Sequence, residues 1–400
     1  MKILYDLSAI QPGSNDGLFH GGGEYAKTVF YRLCELLPSG ASLEVFYNPN
    51  KVFEDSLLDF IKTGGFAIHV CCSNEDISKL LLETQYDVFY SALPYSYFNV
   101  SIPPETKFVY TIHGLRSLEY PLDKYKLKYK KRSIKEKIRH ILFLINPDLM
   151  KNIIAKRDIT RLNALFSITE NQTIITVSNH SKYVIACFFP QLNITNIKVL
   201  YSPSKKYELI SHKDSDILDS YSLETGKYIL LIGGNRSEKG AYRACRVLYK
   251  LIKNNSRMPE NIKVFVIGVS QFKAYQKITN NHHRFKFNGY VPTEDLEVLY
   301  KNAHLFLYPT LNEGFGYPPL EAMKYGTLCA CSANSAVTEA CGNAVLYFNP
   351  HDETEMSVRI LQSFDTEIRA EKQKNILVHY KYISEKQKQD LDKLVQEIIS

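Results

Sequence analysis

The sequence predicts an α/β protein built as two parallel-sheet units in tandem, and three observations carry that prediction. Short apolar runs of β type alternate with longer stretches of helical spacing, the pattern left by parallel strands joined through crossover helices. The alternation runs from Lys2 to Leu200, pauses over Tyr201-Ser-Pro-Ser-Lys-Lys and a polar stretch to Gly226, and begins afresh at Tyr228. At 400 residues the chain has the length of two ordinary domains, each able to bury its own core.

In the first half the strand runs are Lys2 to Tyr5, Leu43 to Tyr47, Ala67 to Val70, Val88 to Tyr90, Phe108 to Ile112, Thr173 to Val177 and Ile197 to Leu200. In the second they are Tyr228 to Ile232, Lys263 to Ile267, Phe285 to Phe287, His304 to Tyr308, Leu328 to Cys331 and Val345 to Phe348. The stretch from Tyr201 to Gly226 shows little apolar periodicity and reads as the linker. Leu391, Leu394, Val395, Ile398 and Ile399 share one helical face, so the tail from Ile383 to Ile399 is expected to be a docked helix.

Composition narrows the class. With 45% hydrophobic and 23% charged residues the chain is globular. Its longest clean apolar run near the centre, Ile141 to Ile145, falls far short of the roughly 20 residues that cross a bilayer. Ile3-Leu4-Tyr5 is too short an apolar core for a secretory signal, so a cytoplasmic protein is expected. Eight cysteines without a C-x-x-C pair read as reduced thiols, mostly core fillers.

The net charge of +7 is one local patch. From Asp123 to Arg161 thirteen Lys or Arg stand against four Asp or Glu, which leaves the rest of the chain at −2. Lys124-Tyr-Lys-Leu-Lys-Tyr-Lys-Lys-Arg132 is followed by Ile134, Ile138, Ile141, Leu142 and Ile145 at roughly helical spacing. Over residues 124–145 this predicts an amphipathic basic helix of the kind that lies on anionic headgroups. A solvated helix packed on the protein's own core fits the same pattern. Tyr125 and Tyr129 interleave with the lysines as stacking residues do, yet no nucleic-acid motif accompanies them and no nucleic-acid partner is expected.

Ligands of doubly wound sheets sit at the carboxyl ends of strands, so the loops there matter most. After the first strand, Gly21-Gly-Gly23 precedes a helix from Glu24 to Leu37. Such glycines admit a ligand to the backbone at a helix start, although a turn requiring positive φ needs them equally. After Tyr228 to Ile232 comes Gly233-Gly-Asn-Arg-Ser-Glu-Lys-Gly240, where Arg236 and Lys239 beside glycines make a setting for a diphosphate. Solvent exposure of both cations, with Glu238 pairing either, is the alternative. After His304 to Tyr308 the chain reads Glu313-Gly-Phe-Gly-Tyr-Pro-Pro-Leu-Glu321, with Pro318 and Pro319 in the first turn of a helix and Gly326 at its end. A carboxylate at a helix start has a dipole role of its own, but that accounts for Glu321 and not for Glu313-Gly-Phe-Gly.

This third loop, flanked by Ala303-His-Leu-Phe-Leu-Tyr-Pro and Ala322-Met-Lys-Tyr-Gly, resembles the signature of retaining glycosyltransferases of family 4. The resemblance extends over nearly the whole chain, through Gly21-Gly-Gly-Glu-Tyr-Ala, Tyr110-Thr-Ile-His-Gly, Ile174-Ile-Thr-Val-Ser-Asn-His-Ser-Lys and Phe287-Asn-Gly-Tyr-Val. It implies a GT-B fold, two facing Rossmann-like domains with a C-terminal crossover helix. The domains implied are 1–203, with helix 383–400 returning to it, and 204–382. Two departures are Gly114, where the family often has Asp, and Tyr317, where it commonly has an aliphatic residue.

Carried onto these positions, the resemblance implies that Glu321 accepts hydrogen bonds from a nucleotide ribose and that the base lies at Tyr290 and Val291. Arg236 and Lys239 clamp the diphosphate, with Gly22 and Gly23 approaching it from the first domain. Glu313 and the loop Gly314, Phe315, Gly316 and Tyr317 hold the donor sugar, and His113 faces the anomeric region. The implied activity is transfer of a hexose from a nucleotide-diphosphate sugar to a saccharide or lipid-linked acceptor in cell-surface polysaccharide synthesis, without metal or cofactor. Asp214-Ser-Asp216 formally matches the D-x-D of metal-dependent enzymes of another fold but lies in the linker. A sugar-nucleotide epimerase of the same architecture and a non-catalytic nucleotide-binding partner are the rival readings. The basic stretch implies peripheral attachment to the inner face of the membrane.

Overall fold

A computed structural model describes residues 1–12, 21–204, 213–254 and 257–400. Each expected strand run is a strand, displaced by no more than one residue at either end. The first sheet holds β1 (Lys2–Asp6), β2 (Ser42–Tyr47), β3 (Ala67–Val70), β4 (Val88–Ser91), β5 (Lys107–Ile112), β6 (Gln172–Thr176) and β7 (Ile197–Val199). The second holds β8 (Tyr228–Leu231), β9 (Lys263–Val266), β10 (Phe285–Phe287), β11 (Leu305–Tyr308), β12 (Cys329–Ser332) and β13 (Leu346–Phe348). The strand orders are 3-2-1-4-5-6-7 and 10-9-8-11-12-13, every pairing parallel. Both orders reverse direction beside their first strand, the doubly wound arrangement whose crevice takes ligands. Strands such as β4, β8 and β11 are buried along their whole length, because helices cover both faces of each sheet.

The compact units interleave along the chain. One comprises Met1–Leu115, Lys156–Lys206 and Ser384–Ser400, the other Arg116–Ala155 and Tyr207–Ile383. The expected 1–203 domain thus lacks residues 116–155, which pack with the second sheet. The cause is a cluster that composition concealed: Tyr129 is buried against Tyr242 and Tyr275, Asp123 pairs with Arg243, and Arg243 lies 4.8 Å from the Tyr125 ring centre. Tyr125 and Tyr129 are therefore core and cluster residues, not exposed stacking platforms. Nor is 124–145 one helix. Residues Lys126–Tyr129 form a single turn, Lys130 is extended, and a new helix, Ile134–Ile145, starts at a capping box in which Ser133 and Glu136 bond each other's backbone N–H.

Two further expectations change. Gly21, Gly22 and Gly23 are the first turn of the helix Gly21–Leu36, not a loop before it; its first amides lack partners within the helix anyway, so glycine is tolerated there. The expected linker contains a helix, Asp214–Ser220, whose Ile217 and Leu218 are buried, while residues 205–212 lie outside the described ones. Asp214 accepts from Asn302 and pairs with Lys301 at 2.8 Å. The tail belongs to a 34-residue helix, Thr366–Ile399, that buries Leu394, Val395 and Ile398 in the first unit. All eight cysteines are free thiols.

Candidate active site

The second sheet reverses direction between β8 and β11, which pair side by side, so the loops that leave their carboxyl ends lie together. Gly240 has φ +70°, and a Cβ there would run into the Pro309 carbonyl oxygen. Glycine at this one position lets the two loops touch. Contact is sealed by the Leu311 amide donating to the Glu238 carbonyl (2.7 Å), with the Thr310 hydroxyl oxygen 3.0 Å from the same carbonyl. Gly233, at φ +70°, leaves room for the Lys239 side chain, whose Cγ would stand 2.7 Å from a Cβ.

Lys239 and Glu313, 74 residues apart in the chain, meet here. The Lys239 ammonium donates to Glu313 Oε1 at 2.6 Å, and both side chains are nearly removed from water. Tyr308 and Thr310 donate their hydroxyls to the same oxygen at 2.6 and 2.7 Å, and Tyr308 also accepts from Lys239 at 2.7 Å. The Glu313 amide donates to Ser335 Oγ, which fixes the loop. Burial works to raise the Glu313 carboxyl, but Lys239 and then Arg116 outweigh it and hold it below the ordinary range. Burial also lowers the Lys239 ammonium, against the pull of Glu313.

A second charged group stands beside this pair. Glu238 Oε1 accepts from Arg236 Nε at 2.8 Å and from Arg116 Nη1 at 3.0 Å. Burial works to raise the Glu238 carboxyl, yet Arg236 and Arg116 bring it down to about 2. Three cations and two carboxylates thus gather at the carboxyl ends of β8 and β11. The sequence singled out Arg236, Lys239 and Glu313; it missed Arg116, Tyr308 and Thr310. Arg116 lies three residues past His113 with no local motif around it, and in the sequence Tyr308 is only the end of a strand.

The remaining expected residues fall in separate places. Gly316 caps the helix Tyr317–Met323 at φ +115°, and the Phe315 and Tyr317 rings meet edge to face at 5.7 Å. Glu321 Oε2 accepts from the Tyr300 hydroxyl at 3.1 Å. Beyond β10, Tyr290 is 72% exposed and Val291 is buried, on a loop tied to the end of β9 by the Gly268 and Val269 amides donating to Gly289 and Asn288. In the first unit, His113 Nε2 lies 3.0 Å from the Ala92 carbonyl, to which it donates, and its ring meets Tyr25 edge to face. Gly22 packs so closely on Leu93 that a Cβ would stand 2.9 Å from its Cδ1. Asp6, another residue the sequence did not flag, ends β1 fully buried and accepts from Ser8, Ser91 and Tyr97, which ties the loops after β1 and β4 together. Among the described residues no group of His, Cys, Asp and Glu has the arrangement of a metal site.

Two doubly wound parallel sheets with this strand order and a long C-terminal helix define a GT-B fold. The chain matches the family model for glycosyl transferases group 1 over residues 214–380. Among curated proteins it is similar to the O-antigen chain mannosyltransferase B of Escherichia coli, 31% identical over 211 residues, which are 49% of this chain and 52% of that one. A second relative is the O-antigen chain mannosyltransferase RfbU of Salmonella typhimurium, 26% identical over 47% of this chain and 49% of that one. The chain spans about half the length of these curated relatives in the matched region. Its fold is also that of Anabaena Alr3699/HepE, solved in complex with UDP-glucose, at TM-score 0.62 and 13% identity over 99% of this chain and 100% of that one.

Proposed function

We propose that this chain is a glycosyltransferase that moves a hexose from a nucleoside diphosphate sugar to a saccharide acceptor during surface polysaccharide synthesis. One observation carries the reading: the buried Lys239–Glu313 pair sits at the switch point of the second sheet, inside the stretch that matches the family model. Two mannosyltransferase relatives make mannose the first donor sugar to test, with glucose second after the UDP-glucose complex.

In this reading Arg236 and Lys239 bind the diphosphate and Glu313 accepts from hydroxyls of the donor sugar, while Glu321 takes the ribose. Cleavage of the sugar–phosphate bond leaves positive charge on the anomeric carbon and negative charge on the diphosphate, which fixed cations stabilise. The acceptor hydroxyl attacks from the face the diphosphate leaves, a carbon–oxygen bond forms as the other breaks, and the proton passes to a departing phosphate oxygen. The anomeric configuration is kept, and protein cations do the neutralising, so no metal is needed. Roles for His113, Gly22 and Gly23 in the first unit rest on the resemblance alone. The acceptor is a saccharide, free or lipid-linked, and the latter implies peripheral attachment to a membrane; no helix among the described residues is long and apolar enough to cross one.

The test is turnover of labelled nucleotide sugars with and without a saccharide acceptor. Lys239→Ala and Glu313→Ala are each expected to lower transfer by about 10²- to 10³-fold. Full activity in both variants refutes the site. Nucleoside diphosphate released only when acceptor is present favours transfer over epimerisation, and product stereochemistry by NMR with chelator present tests retention and metal independence.

A further inference from the structure

The helix Ile134–Ile145 is built the wrong way round for a surface helix. It turns His140 and Phe143 toward the protein and its isoleucines to the outside. Ile134 and Ile145 are 76% and 75% exposed, and Ile138, Ile141, Leu142 and Leu144 lie between 48% and 55%. The next helix, Pro147–Phe166, continues the surface with Leu149 and Ile153, both 54% exposed. An ordinary surface helix shows the opposite, an apolar stripe inward and charge outward. A contiguous exposed apolar face of this kind marks an interaction surface.

Its charge identifies the occupant. Positions 135 and 139 flank the isoleucine stripe on one side of the helix and 137 on the other, and they are Lys135, Arg139 and Lys137, with Lys130, Lys131 and Arg132 just before. Between Lys124 and Ile145 the one acidic residue, Glu136, is held by Arg132 at 2.8 Å. A second copy docking on the same face would set cation against cation. An anionic lipid surface offers headgroups to the lysines and acyl chains to the isoleucines at once.

We infer that the Ile134–Ile145 helix, with Leu149 and Ile153, inserts into the interfacial layer of an anionic bilayer, the isoleucines entering and the lysines resting on phosphates. The inference deepens the lipid-borne acceptor reading above and rests on it for its purpose, but not for its evidence. It differs from simple electrostatic adsorption, because insertion is driven by apolar area that salt does not screen.

Flotation of the full chain with vesicles of phosphatidylglycerol and phosphatidylcholine tests it, with pure phosphatidylcholine as the comparison. The chain is expected to float with the anionic vesicles and to stay partly bound at about 0.5 M salt, where surface charges are screened within a few ångströms. Combined Ile138→Glu, Ile141→Glu and Ile145→Glu is expected to cut binding at least about tenfold, with an unchanged melting temperature and unchanged transfer to a soluble saccharide. Combined Lys131→Gln, Lys135→Gln and Lys137→Gln should remove the preference for anionic vesicles. Binding equal in the isoleucine variant and the parent overturns the inference. So does a parent that ignores vesicles and self-associates through this face, seen as a change in sedimentation when the isoleucines are replaced. Vesicle binding by a parent that transfers no sugar would sink the transfer reading and leave insertion standing.

Discussion

Lys239 and Glu313 illustrate how a buried ion pair behaves when it is also the proposed ligand site. Each charge is out of water, so removing one partner strands the other, at a cost of about 3–5 kcal/mol, whereas replacing both by apolar residues is often neutral. Lys239→Met or Glu313→Leu alone should therefore lower the urea midpoint, while the double variant should recover most of it and still fail to transfer sugar. Recovery of transfer in the double variant would contradict the proposed roles. Glu238 makes a pH prediction. Its carboxyl stands at about 2 in the folded chain against an ordinary value near 4.5, so its stabilisation is complete above 4.5 and is lost as pH falls toward 2. Glu238→Gln should flatten the acid limb of stability across that window, and an unchanged limb would mean the two arginine contacts contribute nothing. Lys239 and Glu313 were legible as single residues because glycine-rich turns after apolar strands advertise themselves. Their direct pairing was not, since it needs the β8–β11 register.

At the scale of elements, the meeting of the two loops depends on Gly240. Alanine there faces the left-handed φ penalty of roughly 1–2 kcal/mol and in addition the Pro309 carbonyl. Gly226, at φ +72° with nothing within 4 Å, faces the φ penalty alone. Gly240→Ala should thus cost clearly more stability than Gly226→Ala in chemical denaturation, and equal losses would show that loop contact is loose. The helix Ile134–Ile145 shows the limit of periodicity reading. Spacing revealed its apolar stripe, but which way the stripe faces was decided by His140 and Phe143 packing inward, and its start by the Ser133–Glu136 capping box.

For the molecule as a whole, the division of the chain between units makes a prediction about folding. Ser384–Ser400 belongs to the first unit, where Leu394, Val395 and Ile398 are buried and Asp390 accepts from the Tyr201 amide at 2.9 Å. Ending the chain after Ile383 should strip hydrogen-exchange protection from β1 to β7 and leave β8 to β13 protected. Equal loss in both sheets would show that the tail stabilises the molecule generally. Truncation after residue 203 is a poor way to isolate the first unit, because residues 116–155 would leave their tyrosine cluster behind.

Apolar runs and glycine punctuation in this sequence determined the two parallel sheets, the strand limits and the loops where chemistry gathers, because burial on both faces of a sheet and tight turns write themselves into local composition. Which residues met across those loops was decided only in the tertiary structure. Arg116 on Glu238, Tyr308 and Thr310 on Glu313, and Tyr129 among the tyrosines of the second unit join positions three to more than a hundred apart, and such pairings follow from strand order, register and loop conformation rather than from spacing.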